Sequence, residues 1–246
     1  MMISLREFAA SLVSPVEQRL FAEYGAIFLT RATPPPAVMF RDQDEVERFQ
    51  ASLDTARALL GEHEIELQAA AMQALLDAAS AIAEEGRTLT ARAADAGRRS
   101  YEDTVRLWTR NVTRGLEHWQ QQLRLSADRA REIERLSPTE QVAVILEMEE
   151  AEQIYFGTYF DKSILYSVAA PGASQHLSLL AFDVAEFEEE AAERVLGEFG
   201  WFRTVVNDFP HFTYLGREPG ELEGLGLKQV LRPYKNRDYR FWIPNL

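Results

Sequence analysis

Apolar positions early in the chain repeat at three- and four-residue spacing, the period of an amphipathic helix. Val46, Phe49, Leu53, Ala56 and Leu60 follow it and predict a helix over 44–60. A second helix, rich in Ala and Leu and closed by Gly86, is predicted over 64–85. Ahead of these, 4–13 reads as a short amphipathic helix and 24–30 as a strand. Pro34-Pro35-Pro36 then makes a rigid connector, since three prolines continue neither a helix nor a central strand. Residues 88–92 alternate like a short strand. Ser100-Tyr101-Glu102-Asp103 has the Ser-x-x-Asp form of a helix start and opens a helix to about Gln121. Ser126 and Ser137 begin two more, the second reaching Tyr155. After Ser163 the texture changes to short strands and loops with one helix at about 185–198, and 228–231 and 239–243 are β-like and aromatic. Helices first and strands later predict an α+β fold, a helical N-terminal part followed by a small antiparallel sheet.

Length and charge narrow the function. A chain of 246 residues can bury a good core as one large domain or a domain with an appendage. Its formal net charge of -13 leaves no basic stripe to neutralise phosphates, which excludes nucleic acid as a partner, and it disfavours anionic membrane surfaces. No stretch reaches the roughly 18–20 apolar residues of a membrane span. Met1-Met2-Ile3-Ser4-Leu5-Arg6-Glu7-Phe8 lacks the basic start and apolar core of a secretory signal. Cysteine is absent, so any transition-metal site is built from His, Asp and Glu.

Those ligands gather late in the chain. His176 and Asp183 lie in Ser174-Gln175-His176-Leu177-Ser178-Leu179-Leu180-Ala181-Phe182-Asp183, a loop entering a strand with Leu179, Ala181 and Asp183 on one side. Asp208 and His211 lie in Asn207-Asp208-Phe209-Pro210-His211-Phe212. A hydrolytic zinc site needs three protein ligands, an open position and a base beside the attacking water. His176, Asp183 and His211 supply the ligands, and Asp208 is near enough in sequence to serve as the base. His63 and His118 have no such context, the latter reading as a packing or surface residue. Glu147-Met148-Glu149-Glu150 and Glu188-Glu189-Glu190 read as solvated helix faces, because consecutive helical residues point in different directions. Trp201, Phe202, Phe212 and Tyr214 read as core.

At these residues the chain resembles the zinc D-alanyl-D-alanine carboxypeptidase and dipeptidase family, whose superfamily includes lysostaphin-type endopeptidases and the Hedgehog amino-terminal domain. Ser174, His176, Ala181 and Asp183 match its Ser-x-His-x-x-Gly-x-Ala-x-Asp motif in register, with Leu179 at the glycine. The second motif, commonly Glu-x-Trp-His, is here Asp208-Phe209-Pro210-His211, similar to phage endolysins that cut between L-alanine and D-glutamate. A third element, Ser-Gly-Tyr-Arg-Ser, is matched by Ala96-Gly97-Arg98-Arg99-Ser100 at Gly97, Arg99 and Ser100. The resemblance spans about residues 67–215. It implies a Hedgehog/D-Ala-D-Ala-peptidase-like domain over 67–246 with a helical insertion at about 105–160, preceded by a helical extension over 1–66.

The function so implied is a zinc metallopeptidase hydrolysing D-amino-acid-containing peptides from peptidoglycan, of the D-Ala-D-Ala carboxypeptidase type and acting outside the cytoplasm. Zn2+ would sit on His176, Asp183 and His211, with Asp208 as base. Arg99 would stabilise the oxyanion and bind substrate, aided by Ser174. Three alternatives stand beside it. One is an endopeptidase of the L-Ala-D-Glu type. Another is a zinc-binding module without turnover, in which the shorter Asp208 is set back and Leu179 crowds the cleft. The last is a helical scaffold without metal.

Overall fold

Helix starts are fixed by side chains. In the computed structural model, which describes residues 4–246, Ser4, Ser14, Asp42, Ser100, Ser126 and Ser137 each accept the backbone N–H three residues on. Each satisfies one of the unpaired donors at a helix N-terminus. They open α1 (Leu5–Ser11), α2 (Pro15–Tyr24), α3 (Gln43–Ala51), α5 (Tyr101–Gln121), α6 (Ala127–Glu134) and α7 (Pro138–Glu147); α4 (Ala69–Glu84) and α8 (Glu190–Glu198) start without such a cap. Met1, Met2 and Ile3, which open the stretch read above for a signal, lie outside the described residues.

Several expected elements change type. The helix expected over 44–60 stops at Ala51, and its remainder is β1 (Thr55–Leu60), paired antiparallel with β2 (His63–Gln68) where the next helix was expected to begin. Gly61, at φ 70°, makes the turn between them and α4 follows at Ala69. The strand expected at 24–30 is the end of α2 and a 3-10 turn, Gly25–Leu29. Residues 88–92 form no strand and touch the sheet through one bridge, Ala91 to Val184. The helix expected to reach Tyr155 ends at Glu147 and passes into a π turn, Met148–Glu152.

The site is carried by a small antiparallel sheet, order β3-β5-β4, of β3 (Ala181–Asp183), β4 (Trp201–Phe202) and β5 (His211–Tyr214). A separate hairpin, β6 (Leu227–Tyr234) with β7 (Arg237–Pro244), closes the chain. Leu20, Phe21, Trp108, Leu116, Val142, Ile145 and Phe156 pack in one apolar cluster, so α1 and α2 share a core with the later helices. Ile65, Leu67, Leu75, Ile82, Phe182, Trp201 and Phe212 form a second cluster beneath the three-stranded sheet. The architecture is thus α+β. No helix among the described residues is long and apolar enough to cross a membrane.

Candidate metal centre

Strand register brings two of the site residues together. Phe182 pairs with Phe212 and Asp183 with His211 across β3 and β5. Successive strand residues face opposite ways, so both phenylalanines enter the second cluster while Asp183 and His211 share the other face. Asp183 is pinned by its backbone on both sides: its N–H donates to Ala96 O at 3.0 Å and its carbonyl accepts from Arg92 N at 3.0 Å. His176 arrives from the 3-10 turn Gln175–Ser178, which leads into β3.

His176, Asp183 and His211 offer ligand atoms that all lie within 4.8 Å of one another. Asp183 Oδ1 is 3.3 Å from His176 Nε2 and 3.1 Å from His211 Nδ1, and the two rings meet edge-on at 73° with centroids 4.9 Å apart. His176 Nδ1–H donates to Gly97 O at 2.7 Å, which fixes the tautomer and leaves Nε2 with a bare lone pair. That Nε2 is buried and has no hydrogen-bond partner among the described residues. A lone pair aimed at a carboxylate oxygen inside a protein is unfavourable unless a cation lies between them. Two neutral imidazoles and one carboxylate are also the donor types a divalent first-row metal takes, so the residues fit a metal.

Charge states agree with that fit. Burial lowers the His176 pKa, outweighing the opposing pull of Asp183, and keeps the ring neutral. Burial alone would raise the Asp183 carboxyl, but the adjacent His176 and His211 hold it well below the usual carboxylate range. Asp208 opens into the cavity with a good part of its surface exposed, yet the protein walls around it raise its pKa, opposed by His211 and assisted by the negative Asp183. A raised carboxyl close to a metal-type site is a suitable proton acceptor at working pH.

The cavity beside His176, Asp183 and His211 has a volume of about 210 Å³, and Ser174, Arg99, Arg110 and Asp208 reach its wall. Arg99 does not stand free: its Nη2 donates to Asp183 Oδ2 at 2.9 Å and its Nε to Asp95 O at 3.2 Å. Its geometry therefore orients the Asp183 carboxylate. Arg98 turns away to Glu66, at 3.0 Å. Arg110, on α5, is exposed and has no partner among the described residues. Leu179, expected to crowd the cleft, is fully buried and off the cavity wall.

Two residues that hold the histidines in place have no role assigned to them by the sequence reading. Gly97 supplies the carbonyl for His176, and a Cβ there would meet Ile65 Cγ2 at 2.6 Å, so only glycine lets the segment lie this close to β2. Gln175 hydrogen-bonds His211 Nε2 at 2.9 Å. The motif match marked Gly97 without the reason for it, and no spacing rule would have found Gln175.

No family model matches the chain, and no curated protein matches it. Among solved structures, the vancomycin-resistance D,D-pentapeptidase VanY from a VanB-type cassette, in complex with Zn(II), is similar at 16% identity, over 68% of this chain and 82% of that one, with a TM-score of 0.38. A likeness of that degree establishes neither the fold nor the chemistry, and both rest on the chain's own geometry.

Proposed function

We propose that this chain is a zinc peptidase that hydrolyses D-amino-acid-containing cell-wall peptides, of the D-Ala-D-Ala carboxypeptidase type. One observation carries the reading: the bare Nε2 of His176 meets Asp183 and His211 beside a cavity that Asp208 also lines. Zinc held by His176, Asp183 and His211 would polarise the scissile carbonyl and ease deprotonation of water. Asp208 takes the proton of the attacking water and passes it to the leaving amine. Arg99 keeps Asp183 turned toward the histidines. Ser174, with no side-chain cap bond of its own, can accept or donate to the substrate backbone. In this reading residues 67–246 form the catalytic unit, α5 of the helical stretch at about 105–160 adds a wall of the cleft through Leu107 and Arg110, and residues 4–66 pack upon it. Action on peptidoglycan peptides would place it at the cell envelope.

Arg110 separates exo from endo action. Among the described residues it lines the cavity without a partner, suited to a terminal carboxylate, while Arg99 pairs with Asp183. Arg110→Gln should raise KM about 10- to 100-fold for peptides ending in free D-Ala-D-Ala, the worth of one charged hydrogen bond, and leave their amides unaffected. The second reading, cleavage between L-alanine and D-glutamate, is favoured by Asp208-Phe209-Pro210-His211-Phe212. A panel of D-Ala-D-Ala and L-Ala-D-Glu peptides, assayed after zinc loading and with metal content measured, decides between them. Zinc at unit stoichiometry and cleavage of one peptide class is the expected result; cleavage of neither sinks the proposal.

A further inference from the structure

We infer that Gln175 is a positioning residue: it fixes His211 in the tautomer protonated at Nε2 and so reserves Nδ1 for a metal ion. Gln175 is only 4% exposed and every polar atom of its side chain is occupied. Its amide nitrogen donates to Tyr24 O at 3.0 Å. Turning the amide over would set its oxygen against that carbonyl, two acceptors at contact distance, so the orientation follows from chemistry. The amide oxygen therefore faces His211 Nε2 at 2.9 Å, together with the hydroxyls of Thr213 and Thr204, the latter at 3.1 Å.

The lone-pair count is consistent. A carbonyl oxygen has two lone pairs. Thr213 takes one, and Thr204 can donate instead to Thr213 Oγ1 at 2.7 Å. The second lone pair is then filled by His211, which must carry its proton on Nε2. Nδ1 is left facing Asp183 Oδ1 at 3.1 Å, on the side of the bare His176 Nε2.

The two histidines thus present opposite nitrogens, one oriented by Gly97 O and the other by Gln175. A single 3-10 turn supplies both a ligand, His176, and the group that orients the second ligand. His211 and Thr213 stand two apart on β5, on one face, so both reach Gln175. The anchor at Tyr24 ends α2, which gives the N-terminal helices a part in the site although they lie outside the family-like stretch.

The tautomer is independent of the zinc reading, whereas its consequence for metal affinity rests on it. The ring nitrogens of His211 are read by ¹⁵N NMR in the metal-free and zinc-titrated protein. Neutral His211 is expected to keep its proton on Nε2 in the unaltered protein, and to lose that preference in Gln175→Met, with His176 unchanged. Zinc binding should weaken about 10- to 100-fold in that variant, as for other partners of metal-binding histidines. Thr204→Val, which leaves the Gln175–His211 bond in place, should keep the wild-type tautomer. A proton on Nδ1 in the unaltered protein overturns the inference without recourse to any variant. So does an unchanged tautomer and affinity in Gln175→Met. An Nε2 proton in a protein that takes up no zinc supports the tautomer assignment and removes only the metal reading.

Discussion

Leu179 adopts a left-handed backbone, φ 56° and ψ 32°, at the position where the resembled motif has glycine. The conformation costs a non-glycine residue about 1–2 kcal/mol, while the side chain it keeps is fully buried. Deleting a buried leucine side chain costs about 2–5 kcal/mol, so burial outweighs strain. Leu179→Gly should accordingly lower stability by about 1–3 kcal/mol in urea titration, and leave the cavity unaltered. A stabilised variant would show that backbone strain dominates there. The other departure from the resembled motif is Asp208 for glutamate. If Asp208 is the proton acceptor, Asp208→Asn lowers kcat about 10²- to 10⁴-fold and leaves zinc stoichiometry at one; an unchanged rate with zinc bound would assign the site to binding alone.

At the scale of elements, the parts legible in sequence were those with a local physical cause. Serines at 100, 126 and 137 announce helices because a side-chain oxygen three residues before a free N–H is sufficient. The meeting of His176, Asp183 and His211 was legible through motif order, although the register that produces it joins residues 28 apart. The β1–β2 hairpin was not, since Thr55–Gln68 is built largely of Ala, Leu and Glu, which favour helix. The alternation of Ile65 and Leu67 with Glu64 and Glu66, beginning three residues after Gly61, carried the correct signal. The π turn after α7 was invisible for another reason. Glu149, read as solvated, is buried, and its Oε1 accepts the N–H of Phe156 at 3.0 Å and of Ile164 at 2.7 Å. It thereby holds the loop whose continuation, Leu165–Ala169, lines the cavity. Burial raises its pKa above 4.5, opposed by the Ser163 and backbone hydrogen bonds. A raised folded-state pKa means that the native state holds the proton more tightly than the unfolded chain. The stability so contributed is complete below 4.5 and is lost as pH rises through the folded value. Glu149→Gln, which keeps the accepting oxygen, should flatten that part of the stability–pH curve and be at least as stable as wild type at neutral pH. Glu149→Ala should instead destabilise, by about 1–3 kcal/mol for each N–H left without a partner.

Across the whole molecule, one buried cation joins the site sheet to the rest of the C-terminal half. Arg203, 2% exposed, donates through Nε to Phe209 O at 2.6 Å and through Nη2 to Phe187 O at 2.8 Å, and pairs with Glu193 at 2.8 Å. Its guanidinium lies between the rings of Phe212, 4.3 Å away, and Tyr239, 5.0 Å away. Burial pulls its pKa down to about 10, with Glu193 opposing, so it remains charged at neutral pH. Through these contacts α8, β5, β7 and the turn bearing Asp208 are held by a single side chain. Removing one member of a buried ion pair costs about 3–5 kcal/mol. The lower end applies here, because Arg237 also pairs with Glu193 and still compensates it. Arg203→Met should therefore lower the melting temperature by about 6–12 °C, at 2–4 °C per kcal/mol for a chain of this size. If the guanidinium also fixes the Asp208 turn, turnover should fall further than zinc affinity, because the ligands are held separately by Gly97, Gln175 and the β3–β5 register. Equal loss of both would mean that the sheet itself had come apart.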